Sequence, residues 1–407
     1  MVKRLIIGIK YWGQIFLLPL YWFSFITPRS KNIWLFGSSF GKRFVDNPRY
    51  FYLFLNQYKK DDVRAIWITK DKDIVSFLRN HGLEAYYNHS LKGIWYCLHG
   101  AIYIFDNYSK DVSFWLSGGA IKVNLWHGSG NKKTNFDNKF DRVRHPRNQW
   151  ERFKTALRRL SDEKPHHYTL ATSPMMAKIF TSAFQTDMEH IIVEGYPRND
   201  VLFSNELKKV YTKAELQIID RIIDCKANHM TITLYLPTFR NSEHLFFEVM
   251  DLKLFNAYLT ERKIMFFTKL HPKSKLKEEF SHIQYSNIVN IDAGVDIYTI
   301  LKFADLLVTD YSSIYSDYLM LNRPSVLFPY DFDEYTKETR ECYFEYAEYM
   351  PEIKAYNMKE LMQYMDKVFE DDTFEQGRLA LRNKIFVTAD GNSSIRLYGK
   401  IREILTK

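Results

Sequence analysis

The sequence predicts the α/β class: two Rossmann-like domains, each a doubly wound parallel sheet, with an interdomain cleft between them. Three observations carry that prediction. Short apolar runs of strand length alternate with segments of helical spacing through both halves of the 407 residues. A polar stretch of helical pattern, about 205–228, interrupts the alternation once, and the rhythm then resumes. Most of the residues able to do chemistry stand directly after the apolar runs, where a parallel sheet presents side chains to a ligand.

In the first half the expected strands are 32–37, 64–69, 100–106, 121–126, 167–172 and 190–194, with helical spacing at 48–58 and 74–81 between them. After the interruption they are 230–236, 263–270, 288–292, 306–309 and 325–329, and 393–405 reads as a terminal helix. The expected division is therefore an N-terminal segment 1–30, a first domain 31–205 and a second domain 206–407 that includes the terminal helix.

Composition narrows the function classes. Lys plus Arg total 57 against 48 acidic residues, a net charge of +9, which suits an anionic partner without choosing among phosphorylated substrate, acidic membrane and nucleic acid. No aromatic-interleaved basic tract or nucleic-acid reader motif is present, so a nucleic-acid partner is not expected. The three cysteines, Cys97, Cys225 and Cys342, lie far apart and lack metal-ligand spacing, as in a protein of a reducing compartment.

Residues 5–27 are mostly apolar, with Lys3 and Arg4 before them and Arg29 and Lys31 after. Lys10, Gln14 and Pro19 break the run, which argues against a clean transmembrane span, and no small-residue cleavage site follows. Helical spacing puts Trp12, Phe16, Leu20 and Phe23 on one face, so 1–30 is expected to be an amphipathic membrane-associating segment on an anionic surface; the alternative is a helix packed on the first domain. A second basic region, 132–164, carries Arg142, Arg144, Arg147, Arg152, Arg158 and Arg159. It reads either as a solvated helical insertion or as a basic surface for an anionic acceptor or lipid headgroups.

Five segments could carry chemistry. In 124–133 a strand runs directly into His127, a residue suited to take a proton from a hydroxyl, followed by Gly128, Ser129 and Gly130 and the cations Lys132 and Lys133. In 193–200, Gly195 and Pro197 fix a turn before Arg198, whose planar fork matches phosphate oxygens; Asn199 or Asp200 could equally cap a helix there. In 234–240 a strand ends at Pro237 and offers Thr238 and Arg240. In 268–275, Lys269 and His271 share one side of a strand end that Pro272 stops, a geometry suited to phosphate. In 306–324 a strand reaches Asp310, and Ser312 and Ser313 open a helix whose free N–H groups suit diphosphate, with Asp317 one turn on; plain N-capping is the simpler explanation. Asp331 and Asp333 form a D-x-D, but nothing near them completes a hard-cation site, so no metal is expected.

Together these segments resemble the CDP-glycerol glycerophosphotransferase family, the primases and polymerases of teichoic acids and related phosphate-linked capsules. The resemblance rests on WHG at 126–128, GYPRND at 195–200, LPTFR at 236–240, KLHP at 269–272 and TDYSSIYSDYLMLNRP at 309–324, in family order, with FPYDFDEY and then Arg340, Tyr343 and Phe344. It covers roughly 100–350.

The resemblance implies a glycosyltransferase-B-like pair of domains, the first acceptor-side and the second donor-binding. It also implies monotopic attachment to the cytoplasmic face of the cell membrane and transfer without metal or cofactor. The donor would be a CDP-polyol, and the acceptor a lipid-linked glycan or polyol phosphate. On that analogy His127 is the general base; Arg198, Lys269 and the second catalytic histidine, His271, neutralise the pyrophosphate; and Gly128, Ser129, Pro237, Thr238, Arg240, Ser312, Ser313 and Asp317 hold the donor. One departure stands out: many members continue WHG with Thr-Pro-Leu-Lys, whereas here Ser-Gly-Asn-Lys follows, which leaves the acceptor and the polyol open. CDP-ribitol or another polyol is the nearest rival donor, and a nucleotide-sugar glycosyltransferase of the same architecture is the next.

Overall fold

The computed structural model describes residues 8–9, 11–162, 167–207, 210–238, 241–270, 274, 276, 285–338 and 341–406. The chain divides into two compact units. Unit 1 comprises Met1–His127, Thr134–Val210 and Phe386–Lys407; unit 2 comprises Gly128–Lys133 and Tyr211–Ile385.

Unit 1 holds β1 (Ser30–Phe36), β2 (Arg64–Thr69), β3 (Ala85–Tyr87), β4 (Gly100–Phe105), β5 (Ile121–Asn124), β6 (Tyr168–Ala171) and β7 (Ile191–Val193). They form one parallel sheet in the order β3-β2-β1-β4-β5-β6-β7. Its central strands read as continuous apolar runs because both faces are covered. Leu35, Ile66, Tyr103 and Phe105 pack with Tyr96 and Cys97 of the helix Leu91–His99. Trp34, Phe36 and Trp67 meet Phe51 and Tyr52 of the helix Asp46–Tyr58. Each such buried aromatic contributes on the order of 2–3 kcal/mol.

Unit 2 holds β8 (Thr231–Tyr235), β9 (Ile264–Thr268), β10 (Ile288–Asn290), β11 (Leu306–Thr309), β12 (Ser325–Leu327) and β13 (Ile353–Lys354). Its sheet, also parallel, has the order β10-β9-β8-β11-β12-β13. Phe266, Leu306, Val308, Val326 and Phe328 form its core with Phe255, Leu259, Leu361 and Met365 from flanking helices. In both units the strand order reverses after the first strand, between β1 and β4 and between β8 and β11. The carboxyl ends at such a switch point are where open α/β sheets bind ligands.

The two-domain parallel-sheet architecture is as expected from the sequence, and eleven of the thirteen strands among the described residues overlap the expected runs. The two missed, β3 and β13, are edge strands of three and two residues, too short for a periodic signal. The terminal helix corrects the expected division. Phe386–Lys407 belongs to unit 1, not to the second domain. Its contacts give the reason: Val387 N donates to Thr172 O, the amides of Ser393 and Ser394 bind the Asp200 carboxylate, and Arg396 pairs with Glu194 at 3.0 Å.

The N-terminal segment is also less regular than expected. Gly13–Leu17 is a 3₁₀ helix and Leu18–Phe23 an α-helix, so the winding changes midway and the four residues do not share one face. Leu20 packs on the unit 1 core, Tyr21 stacks on Phe114 at 4.7 Å, and Trp12 stacks on Phe153 at 4.7 Å, while Phe16 and Phe23 are exposed. Among the described residues no helix is long and apolar enough to cross a membrane. Within the basic region the helices Gln149–Lys154 and Ala156–Asp162 are present. Arg144 is not a surface cation there: it is buried against Asp141 at 2.7 Å and the Tyr108 hydroxyl at 3.2 Å.

Candidate active site

In unit 1 the site is built where β5 ends. The Asn124 side chain accepts Trp126 N at 2.8 Å, and Trp126 takes a left-handed conformation, φ 53°. An aromatic residue there is strained by about 1 kcal/mol or more, so something must hold it. Asn47 does: its buried Nδ2 donates to Trp126 O at 2.9 Å and Leu125 O at 3.3 Å. The turn delivers His127 to the surface with its ring against Trp126, centroids 4.1 Å apart.

His127 Nδ1 lies 2.9 Å from Asp106 O. A carbonyl only accepts, so Nδ1 carries the hydrogen, and in the neutral ring it is Nε2 that has the lone pair. That is the tautomer of a general base. The Asp106 carboxylate faces the other way, accepting from Ser38 Oγ at 2.7 Å, Ser39 N at 3.1 Å and Asn107 Nδ2 at 2.8 Å. Asp111 beside it takes Phe40 N at 2.7 Å. Burial raises the pKa of Asp106, and nearby Asp46 raises it further, while His127 opposes both. Asp111 is pushed well up by burial and then by Asp106. The two carboxyls thus hold the loop after β1, where Ser39, Phe40 and Gly41 all have positive φ. Gly37 permits the approach, since a Cβ there would sit 2.4 Å from Asp111 O.

Arg198, expected to grip phosphate, is 1% exposed and donates to Asp46 at 2.7 Å, its guanidinium over the Tyr196 ring at 4.8 Å. Its own amide donates to Asn47 Oδ1 at 3.2 Å. Arg198 therefore braces the turn that carries His127: Nη1 is paired with Asp46, and its amide holds the Asn47 side chain that binds Trp126 O.

In unit 2 the switch point lies between Pro237–Thr238, after β8, and Asp310, after β11. Both Asp310 carboxylate oxygens accept Thr238 N, at 2.9 and 3.0 Å. Lys269 follows β9, its amide on Tyr235 O at 3.1 Å. Ser312 and Ser313 lead into the helix Ile314–Tyr318, and Ser313 has helical dihedrals with no side-chain capping bond, so N-capping does not account for it. Asp317 is 1% exposed and accepts the Tyr298 hydroxyl through Oδ2 at 2.8 Å, an internal tie of unit 2. Arg240 and His271 lie outside the described residues.

The segment Gly128–Lys133 belongs to unit 2 and is fastened along its length. Ser129 is buried, and its carbonyl accepts Ser316 Oγ at 2.7 Å and the Tyr349 hydroxyl at 2.5 Å, which anchors the segment. Gly130 passes so close to Ser313 that a Cβ would lie 3.0 Å from the serine Cβ. The Asn131 amide pairs with both Phe344 N and Phe344 O at 2.8 Å. Sequence reasoning missed Asn47 and Asp106, and it named Asp310 and Asn131 without giving either a role. Asp106 and Asp310 did carry a signal: each immediately follows the strand that opens the second half of its sheet.

The description CDP-glycerol:poly(glycerophosphate) glycerophosphotransferase matches residues 20–403. The chain belongs to that family. The family assigns it a transferase role in teichoic acid synthesis. It is 24% identical over 379 residues to a teichoic acid glycerol-phosphate transferase of Staphylococcus aureus, covering 90% of this chain and 92% of that protein. It is 27% identical to a teichoic acid poly(glycerol phosphate) polymerase of Bacillus spizizenii, covering 80% and 81%. With a polymerase of the same description from Staphylococcus epidermidis it shares 26% identity over 82% of its own length, but spans only 46% of that longer protein. Its fold is that of the wall teichoic acid polymerase TagF: TM-score 0.72, 21% identity, covering 100% of this chain and 98% of that one. A UDP-N-acetylglucosamine 2-epimerase from Listeria monocytogenes shares the architecture at TM-score 0.56 and 11% identity.

Proposed function

We propose that this family member transfers glycerol phosphate from CDP-glycerol to a hydroxyl of a lipid-linked acceptor, releasing CMP, during synthesis of a teichoic-acid-like or capsular polymer. The observation that carries the reading is the exposed His127 with Nδ1 tied to Asp106 O, which leaves Nε2 to take the acceptor's proton. The acceptor oxygen attacks the β-phosphorus, the bridging P–O bond breaks, and CMP leaves with the bridging oxygen. Phosphoryl transfer needs positioned positive charge and donors above all. Lys269, His271 and Arg240 would supply the charge, and Thr238, Ser312 and Ser313 the donors. The chain is proposed to need no metal ion, so chelator should leave turnover unchanged.

Relatives of both donor classes keep a second reading alive. The chain is 28% identical over 305 residues to a teichoic acid poly(ribitol-phosphate) polymerase of Bacillus spizizenii, so CDP-ribitol is the alternative donor. CDPG was soaked into a histidine variant of TagF, which supports the glycerol reading. The deciding experiment incubates the protein and a lipid-linked acceptor separately with CDP-glycerol, CDP-ribitol and UDP-N-acetylglucosamine. CMP from CDP-glycerol is expected; release of UDP alone would overturn the reading.

The place of action would be the cytoplasmic face of the cell membrane. Phe16, Trp22 and Ile26 are 84%, 64% and 78% exposed, and Trp150 in the basic region is 60% exposed. Exposed aromatic and aliphatic side chains beside cations are the composition of an interfacial surface.

A further inference from the structure

The Gly128–Lys133 segment does more than anchor itself. Lys133 N donates to Glu341 O and Tyr343 N to Asn131 O, both at 2.8 Å, and Lys132 pairs with Cys342 in an antiparallel bridge. With the Asn131 clasp on Phe344, these bonds fix the backbone on both sides of Lys132. Its neighbour Lys133 is committed to Glu341 at 2.8 Å. Lys132 instead extends to the switch point of unit 2: Nζ lies 3.3 Å from Thr238 Oγ1 and 5.2 Å from the Tyr335 ring centroid. Tyr335 stacks on Tyr311 at 3.8 Å with the rings 5° apart, a flat wall for the ammonium stem. The nearby Asp310 carboxylate is directed at Thr238 N and Tyr311 N, and Asp331 receives the Tyr311 hydroxyl at 3.3 Å. A cation and a hydroxyl side by side at the carboxyl ends of parallel strands match an anionic phosphate oxygen.

Building on the proposed function, we infer that Lys132 Nζ, together with Thr238 Oγ1, binds the β-phosphate of a cytidine diphosphate donor. The group that meets the donor's second phosphate then comes from the same loop as His127, five residues on. Loop sequence after the histidine thereby sets donor affinity. The Ser-Gly-Asn stretch serves this by clamping the backbone, with Gly130 allowing the approach to Ser313.

Direct binding of CMP and CDP tests the inference without any turnover, so it can fail or succeed independently of the proposed reaction. Wild-type protein should bind CDP more tightly than CMP. Lys132→Met should weaken CDP by about tenfold, leave CMP within about twofold, and leave the melting temperature unchanged. Lys132→Arg should recover part of the CDP affinity, and Lys132→Gln gives a second neutral side chain should the methionine variant fold poorly. Equal affinity of wild-type protein for CDP and CMP, an unchanged CDP affinity in both neutral variants, or equal loss of CMP and CDP would each overturn the assignment.

Discussion

The carbonyl oxygen of Asp106 and Nδ1 of His127 are 2.9 Å apart, so the residue that follows β4 dictates the tautomer of the residue beyond β5. If Nε2 is the base, removing the ring should cost chemistry and not donor recognition. His127→Ala is expected to lower kcat by about 10²–10⁴-fold while the dissociation constant for CDP-glycerol stays within about threefold. Rapid-quench CMP release and calorimetric titration measure the two; a parallel loss of donor affinity would remove His127 from the base role.

In unit 2 the residue after β11, Asp310, holds the residue Thr238 beyond β8, here through its carboxylate and the Thr238 amide. Asp310→Asn turns one of two acceptor oxygens into an amide facing a backbone N–H, which disturbs the Pro237–Thr238 turn. CDP affinity should fall about fivefold or more, with the rest of the fold intact by circular dichroism. Unchanged CDP binding would show that this turn does not hold the donor.

Lys122, in β5, is 7% exposed, and burial first and Arg29 second hold its amine at about 8. The unfolded chain binds that proton up to about 10.4. Folding is therefore disfavoured by this group wherever it must be charged, and the penalty fades as pH rises through the window from about 8 to about 10.4. Lys122→Met should raise the melting temperature at pH 7 by several degrees, in line with about 1–3 kcal/mol. The gain should shrink when both proteins are melted at pH 10. A variant less stable at both pH values would mean that the ammonium has a stabilising partner.

Phe16 and Trp22 expose most of their side chains while Leu20, Tyr21 and Ser24 hold the same segment on unit 1. Replacing Phe16 and Trp22 by Ser should reduce co-sedimentation with anionic vesicles at least severalfold and leave the melting temperature within about a degree. Full retention on vesicles would refute this surface as the attachment point.

What the sequence made legible followed from local pattern. Strands such as Arg64–Thr69 and Leu306–Thr309 are buried on both faces and announce themselves as apolar runs bounded by polar residues. His127 could be found because it follows such a run directly. The bonds of Arg198 and Ser129 could not be read, because each depends on a partner far along the chain, Asp46 and Tyr349, and that of Asp317 on Tyr298, which lies in a separate element before β11. The home of 386–407 was hidden for the same reason. Its amphipathic helix would suit either unit, and the deciding contacts are with Asp200 and Glu194, nearly two hundred residues earlier.

The return of Phe386–Lys407 to unit 1 bears on how the protein is made. Unit 2 is drawn almost wholly from one continuous stretch, Tyr211–Ile385, whereas unit 1 needs residues from both ends of the sequence, joined where Lys31 Nζ meets Leu405 O at 3.0 Å. A chain leaving the ribosome therefore completes the first seven strands, and then all of Tyr211–Ile385, before the helix that braces Asp200 and Glu194 emerges. Until it does, Asp200 lacks the amides of Ser393 and Ser394, so unit 1, which carries His127, closes after unit 2 has been synthesised.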